Sequence, residues 1–182
     1  MFEKCSSLEA VDVSNFVTDK VTSMGAMFAD CHNLKSIDVR NFDTGSLTDA
    51  IHGQTYVMFG RCRSLKEIVL GDKFTRISNQ TFQECSNLES VTIGKNIKSI
   101  GDYAFNSCDG MKGTLNIPSN VQSLGGNSFG YCDFSDIVVD PENSFYDSRN
   151  DCNAIIETST NELLTGCKST IIPNTVTSIG FC

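Results

Sequence analysis

The chain has 182 residues, 40% of them hydrophobic and 20% charged, with a formal net charge of −8. That balance is too apolar for a disordered chain, and no run approaches the roughly 18 consecutive apolar residues of a transmembrane helix. Its 14 basic residues are scattered singly among 22 acidic ones, which argues against nucleic acid, because phosphate binding needs clustered Lys and Arg.

The chain opens on Met1-Phe2-Glu3-Lys4-Cys5-Ser6-Ser7-Leu8, and the same word returns every 23 to 31 residues. Its later copies are Met27-Phe28 to Leu34, Met58-Phe59 to Leu65, Thr81-Phe82 to Leu88, Ala104-Phe105 to Met111 and Ser128-Phe129 to Cys132. A repeat of this period predicts a solenoid, in which each unit buries its apolar edge only by stacking on its neighbours. Met1-Phe2 holds the place of Met27-Phe28 and Met58-Phe59, with no signal peptide or capping unit before it. The expectation is a segment of a longer array, halted at Ile179-Gly180-Phe181-Cys182 where another unit would begin.

After each word comes a short alternating run: Val11-Asp12-Val13, Ile37-Asp38-Val39, Ile68-Val69-Leu70, Val91-Thr92-Ile93, Leu115-Asn116-Ile117 and Ile137-Val138-Val139. Period-two alternation predicts one half-buried strand per coil and, in register across coils, a parallel sheet. Gly, Pro, Asn or Ser then turns the chain. A return leg carries the pairs Phe74/Ile77, Ile97/Ile100, Val121/Leu124 and Val176/Ile179, whose spacing of three predicts a tight extended or 3₁₀ turn and no long helix. The phenylalanines Phe2, Phe28, Phe59, Phe82, Phe105 and Phe129 are expected to stack as a buried spine.

The units are not uniform. Residues 1–65 carry the Met-Phe-x-x-Cys variant, residues 66–139 an Ile-Gly-x-x-Ala-Phe type, and residues 140–182 an irregular hairpin with a final partial repeat, all within one array. The second unit has about five extra residues around Ile51 to Val57, read as a surface loop. The hairpin is expected from Ala154-Ile155-Ile156 across Thr158-Ser159-Thr160-Asn161 to Glu162-Leu163-Leu164, with Thr170-Ile171-Ile172-Pro173 resuming the array.

Ile100-Gly101-Asp102-Tyr103-Ala104-Phe105-Asn106-Ser107-Cys108 and the stretch Cys167 to Gly180 resemble the BspA-like class of leucine-rich repeats, and residues 1–60 resemble its Met-Phe-x-x-Cys-x-Ser-Leu sister variant. The departures are one extra residue between Cys108 and Leu115, one missing between Cys132 and Ile137, and Phe134 near the Leu position. The resemblance implies a β-rich α/β solenoid, a right-handed leucine-rich repeat superhelix with one short parallel strand per coil and little helix. It also implies a bacterial cell-surface or secreted protein used in adhesion to host extracellular matrix or to another microbe, with no cofactor and no shared catalytic residues.

Nine cysteines raise disulfides, metal and nucleophilic catalysis in turn. Six occupy the repeat position, where stacked Cβ atoms roughly 4.8 Å apart fall just outside the disulfide window of about 3.5–4.5 Å, so they are expected to be free packing thiols. No Cys-x-x-Cys spacing points to metal. Cys152, Cys167 and Cys182 break the repeat, and Cys152–Cys167 across the hairpin is the disulfide to test. Cys31/His32 and Cys62/His52 are the only thiol–imidazole pairs near in sequence, and adjacent residues on a turn point apart. Asn79-Gln80-Thr81 is an isolated glycosylation sequon.

The outward strand positions are the candidate binding residues: Asp12, Asp38, Val69, Thr92, Asn116 and Val138, flanked by Ser36, Arg40, Glu67, Ser90 and Asp136. They are expected to line a concave face that meets a protein or glycan, although a merely solvated face explains each residue equally well. Two neighbouring carboxylates, Asp12 and Asp38, are too few for a calcium site. The leading reading is a non-enzymatic binding module; the alternatives are a structural stalk or a β-solenoid enzyme acting on polysaccharide.

Overall fold

The computed structural model describes residues 1–48 and 57–180. Residues 51–56 of the expected surface loop, His52 among them, and Cys182 lie outside the described residues. Val57, the last residue assigned to that loop, is instead buried at 8% exposure.

The coils are polygonal because tight turns close their corners. The Cys N–H of each word donates to the Phe carbonyl three residues back, and the Leu N–H to the Cys carbonyl, as in Cys85 to Phe82 (3.1 Å) and Leu88 to Cys85 (2.9 Å). A third such turn follows each strand, as in Ile97 to Gly94 and Val121 to Pro118. Turns this frequent leave no room for an α-helix. No helix among the described residues is long and apolar enough to cross a membrane.

Strands β1 (Ser36–Val39), β2 (Glu67–Leu70), β3 (Arg76–Ile77), β4 (Ser90–Val91), β5 (Ser99–Ile100), β6 (Thr114–Ile117), β7 (Ser123–Leu124) and β8 (Asp136–Val139) build the array. The alternating runs form β1-β2-β4 and, separately, β6-β8, all parallel. The return legs form a second parallel ladder, β3-β5-β7, so their spacing of three resolves as extended backbone and not as 3₁₀ helix. Val11-Asp12-Val13 is not a strand, although Val13 is buried and Lys35 N–H still donates to Glu9 O at 3.1 Å.

Between the ladders runs the aromatic spine. Rings of Phe2, Phe28, Phe59, Phe82, Phe105 and Phe129 stack with centroids 5.3, 5.2, 5.5, 5.1 and 5.4 Å apart. All but Phe2 are buried. Phe134 caps the row edge-on to Phe129 at 6.0 Å and 71°.

The repeat cysteines run beside the spine, and five of their thiols have a defined acceptor. Cys31, Cys62, Cys85, Cys108 and Cys132 donate to the carbonyls of Phe2, Phe28, Phe59, Phe82 and Phe105 of the preceding coil, at 3.1–3.2 Å. The residue just before each cysteine (Lys4, Asp30, Arg61, Glu84, Ser107, Tyr131) has φ between 58° and 61°. That left-handed turn aims the N–H of the first five at the next coil, as in Glu84 to Asn106 O at 2.8 Å. Backbone strain is accepted there in exchange for an inter-coil hydrogen bond.

An asparagine row closes the strand-side turns. Asn41 Nδ2 donates to Val13 O and Phe16 O, Asn120 Nδ2 to Gly94 O and Ile97 O, and Asn143 Nδ2 to Pro118 O and Val121 O. Asn143 Oδ1 also accepts from the N–H groups of Phe145 and Tyr146. Val13 O, Gly94 O and Pro118 O also accept the N–H that closes their turn, so each amide adds a bond that ties the turn to the next coil.

The C-terminal part holds β9 (Tyr146–Asp147), β10 (Ala154–Glu157), β11 (Glu162–Gly166) and β12 (Ser178–Ile179) in the order β12-β11-β10-β9. The expected hairpin is β10–β11, antiparallel with an irregularity at Ile155/Ile156, and β12 adds in parallel. Ile171 and Ile172 do not form a strand and are largely exposed. Arg149 ties the hairpin by pairing with Asp147 and donating to Asn161 Oδ1 at 2.8 Å.

Candidate functional site

The eight described cysteines are free thiols. Cys152 and Cys167, the pair singled out as the disulfide to test, are not joined. Cys152 packs with Ala154, Ile156 and Leu163, while Cys167 Sγ meets Ser169 Oγ at 3.2 Å and Asn153 O at 3.5 Å, so the two side chains serve different neighbours. Burial pushes the Cys62 and Cys132 thiols up to about 12, and those of Cys85 and Cys108 well above the ordinary range. Such thiols are poor nucleophiles, because the thiolate is the reactive form. Cys31 and His32 point to different partners: the thiol to Phe2 O, and His32 Nδ1 to Arg61 O at 2.9 Å.

The expected strand-face residues divide into two groups. In the first, β1, β2 and β4 bring Ser36, Glu67 and Ser90 into one row and Asp38 opposite Val69, with Thr92 just beyond β4. In the second, Asn116 faces Val138, and Asp136 faces Thr114. All are exposed except Asp136, which is half-buried and accepts from Ser135 Oγ at 2.8 Å. Asp12 lies on the strandless first coil, in a shallow recess shared with Asp38, Arg40 and Asn41.

Asp12 and Asp38 are not a free carboxylate pair. Arg40 Nε and Nη2 grip both oxygens of Asp38, and that guanidinium holds the carboxyl below its usual range. Asp12 Oδ1 accepts the Ser14 N–H at 2.9 Å, which lowers its pKa as well. Among the described residues no group of three or more His, Cys, Asp or Glu side chains is placed to hold a metal ion.

Between the two groups the strand face is open. No ladder joins β4 to β6 among the described residues, although coils on both sides are paired. The rungs Lys35 to Glu9 O, Lys66 to Lys35 O and Glu89 to Lys66 O climb the array, and the series resumes only at Ser135 to Lys112 O. On the opposite side the same coils stay joined, by β5–β7 and by Phe82 N–H to Ala104 O at 2.8 Å. The stack is therefore wedged apart on one side only, leaving a cleft of 630 Å³. Val91, Ile93, Met111, Leu115, Phe134 and Val138 give it an apolar lining, with Glu89 and Asp140 as its charged side chains.

The cause is local. Leu34, Leu65 and Leu88 precede their strand residues Ile37, Ile68 and Val91 by three positions, whereas Met111, buried in the Leu place, precedes Leu115 by four. The added residue lies in Lys112-Gly113-Thr114 and displaces β6 from β4. In the next coil Phe134 takes the Leu place, and three-residue spacing to Ile137 returns. Sequence reading recorded both length changes but could not see a cleft in them.

A family model for the BspA-type leucine-rich repeat region, in six copies, matches residues 49–154, and one described as a Mycoplasma protein of unknown function (DUF285) matches residues 1–94. No curated protein matches the chain. The chain is similar to the crystal structure of the pneumococcal vaccine antigen PcpA, with TM-score 0.57 and 18% identity over 81% of this chain and 33% of that one. It is also similar to a leucine-rich cell-surface protein from Faecalibacterium prausnitzii A2-165, with TM-score 0.54 and 20% identity over 77% of this chain and 41% of that one. The chain thus spans between a third and two fifths of the length of these structures, and at such identities the likeness is one of fold. The chain belongs to the BspA-type leucine-rich repeat family and is a β-rich leucine-rich repeat solenoid.

Proposed function

We propose that the chain is a non-catalytic binding module of a bacterial cell-surface or secreted protein, holding a host matrix protein, a microbial surface protein or a glycan on its strand face. Residues 1–182 act in this reading as a single array. The observation that carries it is the division of labour along each coil. Phe, Cys and Leu are consumed in stacking, while Asp12, Ser36, Asp38, Glu67, Ser90, Thr92, Asn116 and Val138 stand exposed in successive rows. A row of outward side chains on a rigid stack is a surface that a large partner can read. The solved relatives include one named as a cell-surface protein, in keeping with a surface location.

A structural stalk is the second reading, favoured by the unbroken phenylalanine spine, which would carry load whether or not anything binds. The two differ in one measurement. Purified protein is passed over immobilised matrix proteins and glycans, with the Asp12→Lys, Asp38→Lys, Glu67→Lys triple variant beside it. Binding module predicts a bound partner and a loss of at least about tenfold in affinity on charge reversal. A stalk predicts no specific partner for either protein, and turnover of a glycan would overturn both readings.

A further inference from the structure

We propose that the cleft between β4 and β6 takes an extended peptide segment of alternating apolar side chains with basic flanks, laid as a strand between the two edges. This rests on the binding reading above and adds the place and the chemistry of the partner. Three observations select this occupant. First, β1-β2-β4 and β6-β8 are two pieces of one parallel face, interrupted for a single coil interval. The walls of the cleft are therefore strand edges without a neighbour, and such edges recruit another strand through main-chain hydrogen bonds.

Second, the lining is apolar between those edges. Val91 and Ile93 are half-buried and Val138 is 46% exposed, above the buried Leu115 and Phe134. A strand places alternate side chains on one face, so every second residue of the peptide would meet this floor. The volume, 630 Å³, falls within the roughly 300–1,000 Å³ of ligand-binding clefts.

Third, the charge at the cleft has one sign. Glu89 and Asp140 line it and no Lys or Arg does. Glu89 lies 3.6 Å from the exposed Lys66, and Asp140 accepts the Glu142 N–H at 2.9 Å. These two acidic side chains in the lining favour a peptide with lysine or arginine at its ends over an acidic one.

Gly113 gives a direct test. Gly113 lines the cleft and a Cβ built there meets nothing within 4 Å, so Gly113→Trp adds a bulky side chain to the lining with no clash at its Cβ. The probe is a fluorescein-labelled, end-blocked peptide, Lys-Val-Thr-Val-Thr-Val-Lys, titrated by anisotropy. Saturable binding is expected, weakened at least about tenfold by Gly113→Trp and by N-methylation of alternate peptide amides, and weakened by replacing the terminal lysines with glutamate. The N-methylated probe is read on the unmodified protein, so it decides the matter even if the variant misfolds.

Absence of binding, or binding unaffected by N-methylation or by Gly113→Trp, overturns the proposal. So does a concentration-dependent dimer that Gly113→Trp abolishes, which would make a second copy the occupant. The Asp12→Lys, Asp38→Lys double variant, altered in a separate recess on the first two coils, should keep peptide binding. Loss of matrix-protein binding in that variant with the peptide unaffected separates the two sites. Matrix-protein binding without peptide binding leaves the general reading standing and removes this one.

Discussion

Replacing Phe82 by alanine tests the spine at its centre. Phe82 is fully buried, stacked on Phe59 at 5.5 Å and 3° and on Phe105 at 5.1 Å and 13°. Truncation of a buried Phe costs about 3–5 kcal/mol, and here both ring contacts, each worth about 0.5–1.5 kcal/mol within such a total, disappear together. Phe2 has one stacked neighbour, Phe28, and is only half-buried, so Phe2→Ala should cost about half as much. Because each coil of a solenoid contacts only its neighbours, Phe82→Ala weakens two interfaces at once. A loss of about 4 kcal/mol corresponds to a fall in Tm of roughly 8–16 °C for a chain of this size. Urea unfolding followed by circular dichroism and by a second probe measures the cost and shows whether the halves now unfold separately. A cost for Phe82→Ala no greater than that of Phe2→Ala would refute the stacking argument.

Tyr131 is 78% exposed with φ 59°, so Tyr131→Gly should stabilise by about 0.5 kcal/mol and Tyr131→Val destabilise by about 1 kcal/mol or more. Equal denaturant midpoints for the two would contradict the left-handed assignment. At about pH 8, native alkylation mapped by mass spectrometry should label the exposed Cys5 early and the buried Cys85 and Cys108 only on unfolding; equal labelling of Cys5 and Cys85 would defeat the thiol ladder. Asp30 accepts from Arg61 Nε at 2.6 Å and Nη2 at 2.8 Å, which holds its pKa below the usual range. A lowered folded pKa means stability that is present above the unfolded value of about 3.9 and lost as pH falls through the folded one. The penalty of Arg61→Ala, about 1 kcal/mol or less because the guanidinium is partly exposed, should therefore vanish in acid; an unchanged penalty at about pH 2 would contradict it.

Much of the fold was legible because its driving pattern is short-range. The Phe, Cys and Leu of each word recur at fixed spacing, and stacking is the only way a coil of some two dozen residues can bury them. Even Cys31 and His32 could be separated on local grounds, since neighbours on a turn diverge. The second ladder was half-legible: the pairs Ile97/Ile100 and Val121/Leu124 announced buried residues, but spacing of three fits a 3₁₀ turn and an extended bridge alike. The asparagine row was missed, although Asn41, Asn120 and Asn143 all follow their strands closely, because Asn after a strand reads as ordinary turn chemistry. Only the stacked structure shows that Asn143 makes four hydrogen bonds, two to carbonyls of the preceding coil and two from the N–H groups of Phe145 and Tyr146.

The sequence by itself determined that this protein is a stack, which residues face inward, and that its repeat thiols are packing groups, because those facts depend on periodicity along one chain. Tertiary structure alone decided the rest. Asp38 is a candidate contact on sequence, but it is the Arg40 guanidinium beside it that takes its charge. Cys152 and Cys167 are near in sequence, but their side chains point into different surroundings. One added residue before Leu115 is a small irregularity in a row of letters. It becomes a cleft because strand pairing depends on the height of the neighbouring coil, and that height exists only once the coils are stacked.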